Sequence, residues 1–135
     1  MRIKDLVDFI ESLYSFPYFY NKFPREHAPD ECAAVRLTGG FPVEQWLGKR
    51  QPSFQILVRG LKDVDDPDSI TKCEEKAFSI HSLLTNRRDF KIGTESVVVI
   101  RAMNSVPIYI GDDDAGRPIY SMNFDVVIRP NLKEE

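Results

Sequence analysis

The segment Tyr120-Ser121-Met122-Asn123-Phe124-Asp125-Val126-Val127-Ile128-Arg129 decides the fold. Tyr120, Met122, Phe124, Val126 and Ile128 alternate with Ser121, Asn123, Asp125, Val127 and Arg129. Successive side chains of a strand point to opposite faces, so this alternation predicts a long strand with one buried face and one largely polar face. The buried face needs a cover, and two stretches supply it. Ile3, Leu6, Val7, Ile10, Leu13 and Tyr14 recur at helical spacing opposite Lys4, Asp5, Asp8, Glu11 and Ser12. They predict an amphipathic helix within residues 1–15, stopped by Ser15-Phe16-Pro17. Phe9 lies off that stripe and reads as an exposed apolar side chain. A second helix is predicted over residues 66–86, with Asp66 as N-cap and Pro67 at the first helical position. Its apolar stripe is Ile70, Cys73, Ala77, Ile80 and Leu84, widened by Phe78 and Leu83.

The remaining strands follow from shorter patterns. Tyr18 to Phe23 alternates weakly, and Ala33 to Thr38 reads as a strand with Val35 and Leu37 inward, ended by Gly39-Gly40. In Ser53 to Arg59, Phe54, Ile56 and Val58 share one face and Gln55, Leu57 and Arg59 the other. Phe90 to Ile92 is a short strand. Ser96 to Asn104 is apolar on both faces through its first half and therefore central. Val106 to Ile110 and the Gly111 to Gly116 turn form a hairpin-like excursion into the last strand. The expected fold class is α+β: a single antiparallel or mixed sheet with both helices packed on one face. The chain of 135 residues reads as one domain: helix at 1–15, strands and a long loop at 18–60, helix at 66–86, and C-terminal strands at 88–130.

Composition narrows the functional classes. A net charge of −3 argues against a broad basic surface gripping phosphates. The two cysteines, Cys32 and Cys73, are too few for a disulfide framework, and Cys73 on the helical stripe reads as a buried thiol. There is no apolar run of the roughly 20 residues that a membrane span needs. The N-terminus enters an amphipathic pattern with no apolar leader, so synthesis in the cytoplasm is expected.

Chemistry-bearing clusters have bland readings beside the functional ones. Arg25 to Cys32 gathers Glu26, His27, Asp30, Glu31 and Cys32, but the spacing fits no tetrahedral zinc pattern, and a solvated loop is the better reading. His81 lies beside the apolar stripe of the second helix, two turns from Cys73, and reads as a structural histidine. Asp112, Asp113 and Asp114 resemble a calcium loop only superficially, because the alternating ligands and the distal glutamate are missing; a polar hairpin turn is expected. No phosphate-cradling loop or catalytic triad signal is present, so no enzyme, metal or cofactor is expected.

The remaining oddity is Phe41 to Pro52, FPVEQWLGKRQP. It carries Phe41, Val43, Trp46 and Leu47 in a loop longer and more apolar than loops usually run. Such groups either cap their own core or meet a partner, and their chemistry alone does not choose.

The run from Thr38 to Gly60, TGGFPVEQWLGKRQPSFQILVRG, resembles the small bacteriophage minor capsid proteins of the tail-terminator kind. Gly39-Gly40, Pro42, Leu47-Gly48, Pro52 and the Phe54-Gln55 strand ending in Arg59 carry the resemblance. Downstream, Pro107 to Phe124, PIYIGDDDAGRPIYSMNF, is similar to that family's C-terminal hairpin. The resemblance implies a virion neck protein, made in the host cytoplasm, that caps the tail tube as a homo-oligomeric and usually hexameric ring. Its implied partners are its own copies, the tail tube protein and the head-to-tail connector or stopper protein, with DNA passing through the lumen unread. Under it, Phe41, Pro42, Trp46, Leu47 and Arg50 become candidate contacts to a neighbouring subunit or the tail tube. One of two acidic loops, Asp112 to Asp114 or Asp63 to Asp68, becomes a candidate lumen lining. A head-completion or portal-side adaptor, and an unrelated ligand-binding α+β domain, are the alternatives. The ligand binder would need a closed pocket with convergent polar groups. The ring protein would need apolar surface on two opposite flanks.

Overall fold

The computed structural model describes residues 1–43, 45, 46 and 48–130. Among these, the order is α1 (Ile3–Leu13), β1 (Tyr18–Tyr20), β2 (Cys32–Leu37), β3 (Ser53–Arg59), α2 (Ser69–Leu84), β4 (Arg88–Ile92), β5 (Glu95–Ala102), β6 (Ile108–Asp112) and β7 (Pro118–Ile128). The strands form one mixed sheet in the order β1-β2-β3-β7-β5-β4. Among the described residues only the β1–β2 pair is parallel.

β7 organises the sheet because its alternation holds for its whole length. One edge pairs with β3, placing Phe54 beside Phe124, Ile56 beside Met122 and Val58 beside Tyr120. The other edge takes β5 along its C-terminal half and β6 along its N-terminal half. β5 and β6 therefore lie in series, separated by the excursion 103–107.

Leu6, Val7 and Ile10 of α1 and Cys73, Ala77, Ile80 and Leu84 of α2 close over the even-numbered β7 residues and their cross-strand neighbours. Both helices thus share one face of the sheet, as the pattern predicted. Phe54 and Phe124 stack at 5.1 Å in the middle of this core. α1 stops before Pro17, and the Tyr18 hydroxyl donates to the Tyr14 carbonyl at 2.7 Å, serving one orphan acceptor at the helix end.

Several expectations need correction. α2 begins at Ser69 with Asp68 as N-cap; Asp66 instead closes a preceding turn, its Oδ1 accepting from the Asp68 N–H at 2.9 Å. Ile70 and Phe78 are exposed, because buried Ser69 and His81 occupy the core-facing positions beside the stripe. Leu37 is exposed at the end of β2. Phe9 is not a free surface aromatic: its ring stacks on Phe90 at 4.6 Å, since β4 returns beneath α1. Arg59, expected on the open face, is buried; it donates to the carbonyls of Asp30 and Pro29 at 2.9 and 3.1 Å and lies over the Phe23 ring.

Candidate functional site

The loop after β2 is an extension of the β2–β3 hairpin. Phe41 bridges Gln51, and the return arm continues alongside β7, with Val126 N–H donating to Pro52 O and Ile128 N–H to Arg50 O. Residues 39–52 therefore form an arm leaving the sheet at the C-terminal end of β7. Gly40 makes the crossing possible: at φ +107° its missing Cβ would lie 2.6 Å from Pro52 Cα and 2.8 Å from Ser53 N.

The arm does not cap the core. Phe41 and Val43 are 60% exposed and Trp46 83%, and Pro42 is also exposed. Leu47 lies outside the described residues. Arg50 turns inward: its Nη1 lies 3.0 Å from Glu95 Oε1, which also takes the Met1 α-ammonium at 2.7 Å. Burial pushes the Glu95 carboxyl up, but these two donors outweigh it and hold it below its usual value. Arg50 thus fixes the root of the arm rather than its tip. A groove of about 200 Å³ lies at that root, lined in part by Phe41, Val43, Pro52 and Ile128.

The two acidic loops stand together. Asp63 N–H donates to Gly116 O at 3.0 Å, joining the turn before α2 to the β6–β7 turn at the N-terminal end of β7. Asp112 accepts from the Tyr109 hydroxyl at 2.7 Å. Asp113 accepts from Arg117 Nε at 2.7 Å and from the Ala115 and Arg117 N–H groups; burial raises its carboxyl, but these bonds outweigh burial and the net shift is downward. Asp114, Asp63, Asp65 and Asp68 are exposed, so the two loops make one acidic edge.

The other sequence candidates are occupied by the fold. Asp30 pairs with Arg117 and Glu31 with Lys76. His81 Nε2 lies 2.9 Å from the Asn104 carbonyl and its ring packs on Phe124, pinning the 103–107 excursion to α2. Beside it an open cleft of about 430 Å³ is lined by polar groups such as Thr85, Asn86, Arg101 and Asn104.

The hairpin-like excursion expected at Val106 to Gly116 is the β6–β7 hairpin, but its outward apolar face was not foreseen. Ile108 and Tyr109 are 44% exposed and Ile110 54%, joined by Met103 and Val106 from the excursion. Among the described residues β6 pairs only with β7, so its outer edge is open as well as apolar. The signal was the run Val106-Pro107-Ile108-Tyr109-Ile110, which lacks the polar alternation of a one-sided strand.

A mixed sheet covered on one face carries an exposed apolar arm at one corner and an open apolar edge at another. The chain matches the family described as bacteriophage tail terminator protein over residues 4–129, and it belongs to that family. The family is one of phage structural proteins, not of enzymes. A chain from the virion of a native gene transfer agent particle shares the fold, with a TM-score of 0.62 at 10% identity over 89% of this chain and 84% of that one. A second solved structure gives 0.56 at 11% identity over 98% and 92%. No curated protein sequence matches. Among the described residues, no helix is long and apolar enough to cross a membrane.

Proposed function

We propose that this protein sits in the virion neck, caps the tail tube as a closed ring of six identical subunits, as the family resemblance implies, and joins it to the head connector. The observation that carries the reading is the pair of apolar surfaces at diagonally opposite corners of the sheet. The arm leaves beside the C-terminal end of β7 on the β3 side, and β6 lies along its N-terminal end on the other side. Two different, separated surfaces suit a heterologous contact, which closes into a ring when the rotation between subunits allows. Phe41, Pro42 and Trp46 are the proposed contacts at the arm, to a neighbouring subunit or the tail tube. The joined acidic edge, Asp63 to Asp68 with Asp112 to Asp114, is proposed to face the lumen, where negative charge keeps DNA from adhering.

Trp46→Ala tests the reading, with assembly of rings and joining of tails to heads as the readout. The expected product is a folded subunit that fails to assemble. Normal rings and normal joining would sink the arm's role. Unchanged ejection after charge reversal of Asp112, Asp113 and Asp114 would count against the lumen assignment.

A further inference from the structure

We infer that the outer stripe of α2 on one copy of this chain packs against the helix-free face of the sheet on the next copy. The inference rests on the ring reading above and names a contact between its subunits.

The helix-free face carries an apolar row that crosses five strands. Phe19 of β1 lies beside Ala34, Ala34 beside Leu57, Leu57 beside Ser121, and Ser121 beside Ile108 of β6. Cross-strand neighbours share a face, so these side chains form one line roughly 19 Å long, four inter-strand steps of about 4.8 Å. Ala34 and Ser121 are buried, Phe19 and Leu57 are half-buried, and Ile108 is exposed. Both helices cover the other face, so among the described residues no helix lies over this row.

On the helix side, Ile70, Glu74 and Phe78 recur at four-residue spacing along α2 and span about 12 Å. Ile70 and Phe78 are exposed and make a second apolar surface, short enough to lie on the row. β6 stands between the two surfaces. Its Ile108 ends the row, whereas Tyr109 belongs to the helix side, packing on Tyr120 at 5.5 Å; the Tyr120 hydroxyl lies 3.4 Å from Glu74 Oε2.

Charge selects a second copy as the occupant. Along α2, Lys72 and Lys76 are already paired with Asp66 and Glu31, which leaves exposed Glu74 and Glu75 with no cation beside them. On the helix-free face, Arg101 is taken by Asp125. Arg36, exposed in the row next to the apolar one, donates Nε to the neutral Gln55 Oε1 at 2.6 Å, so its charge is held in place but not compensated. The loop after β1 adds Lys22 and Arg25 against Glu26. An acidic apolar stripe thus suits a basic apolar row, the kind of complementarity that fixes register between partners. One chain cannot bring its own two surfaces together, because they lie on opposite faces of its sheet. Each copy offers both, and a contact between unlike surfaces repeats from copy to copy until the ring closes. A helical stripe laid on a bare sheet face is also the ordinary way in which layers of a fold pack.

The test places the photo-crosslinker benzoylphenylalanine at position 78 of the full chain, irradiates the assembled particle and maps adducts by mass spectrometry. Adducts to residues 18–20, 34–36, 55–57 or 108 of a second copy are expected. Adducts to another surface of a second copy overturn this pairing and leave ring assembly standing. Adducts only to other proteins, or none, also overturn the pairing; the ring reading itself falls only if images of the particle neck show no closed ring of this subunit. Arg36→Glu, at an exposed position that leaves the melting temperature unchanged, should cut the adduct yield about tenfold, and adding Glu74→Arg should restore it. Ile108→Arg, at the exposed end of the row, should cause the same loss without touching the charge pair. An unchanged yield in either variant, or no restoration by Glu74→Arg, overturns the pairing.

Discussion

Arg101 and Asp125 face one another directly across the β5–β7 ladder and form a two-pronged ion pair, Nε to Oδ1 at 2.9 Å and Nη2 to Oδ2 at 2.7 Å. The pair lies on the helix-free face, where Asp125 is nonetheless buried. Gln51 Nε2 also reaches Asp125 Oδ2 at 3.3 Å, so the root of the arm is tied through one carboxylate to β5. A rigid root is what an exposed arm needs if it is to meet a partner in one orientation.

Burial raises the Asp125 carboxyl, but the bonds from Arg101 and Gln51 prevail and hold it below the usual range. A carboxyl lowered in the folded state contributes stability above its unfolded pKa, near 3.9, and loses it as pH falls through the folded value. Glu95 and Asp113 are shifted in the same direction. Thermal unfolding midpoints should therefore hold steady from neutral pH to about 4 and fall below it. Asp125→Asn should cost about 1–3 kcal/mol at pH 7, the worth of charged hydrogen bonds in a buried place. Its difference from the parent should shrink as the medium is acidified. A gap that stays constant down to pH 2 would contradict this account.

Gly39 and Gly40 both take positive φ, +92° and +107°, but only Gly40 has backbone where a side chain would stand. Gly39→Ala should cost only conformational strain, about 1–3 kcal/mol. Gly40→Ala should cost more, because the two strands of the arm must part. The arm's tryptophan is the chain's only one, so its fluorescence reports the change directly. Equal stability and equal Trp46 emission in the two variants would refute the clash.

Cys73 is fully buried, and burial pushes its thiol up to about 12; burial also raises Cys32. A thiol that cannot form thiolate or reach solvent is inert. Native protein at pH 8 should react with a water-soluble disulfide reagent only at its unfolding rate, whereas denatured protein releases two equivalents at once. Rapid titration of either cysteine in the folded chain would overturn this.

The parts of the fold legible in sequence are those with one dry face. β7 and β3 could be read from alternation because each buries Phe, Ile, Met or Val at every second position under the helices. What could not be read depended on partners distant in sequence. Phe9 is covered by Phe90, Arg59 is buried by the loop it clamps, and Leu37 is exposed although its two-residue spacing from Val35 promised the core. The arm's exposure was undecidable in advance, since an apolar loop has the same composition whether it folds inward or projects. The second apolar surface went unread for a related reason: Ile70 and Phe78 fit the helical period, and only the packed structure reveals that their side of α2 faces away from the sheet.

β7 spans 11 residues, with the acidic turn before its first and the arm braced against its last. The separation of the molecule's two ends is thus written in the length of one strand, about 3.3 Å for each residue. Adding or deleting a single residue there would invert the faces beyond it and expose the core. The separation changes only in double steps of about 6.6 Å. Relatives of very different core sequence can therefore keep a common pitch, and a change of pitch calls for a two-residue event in β7 and its paired strands.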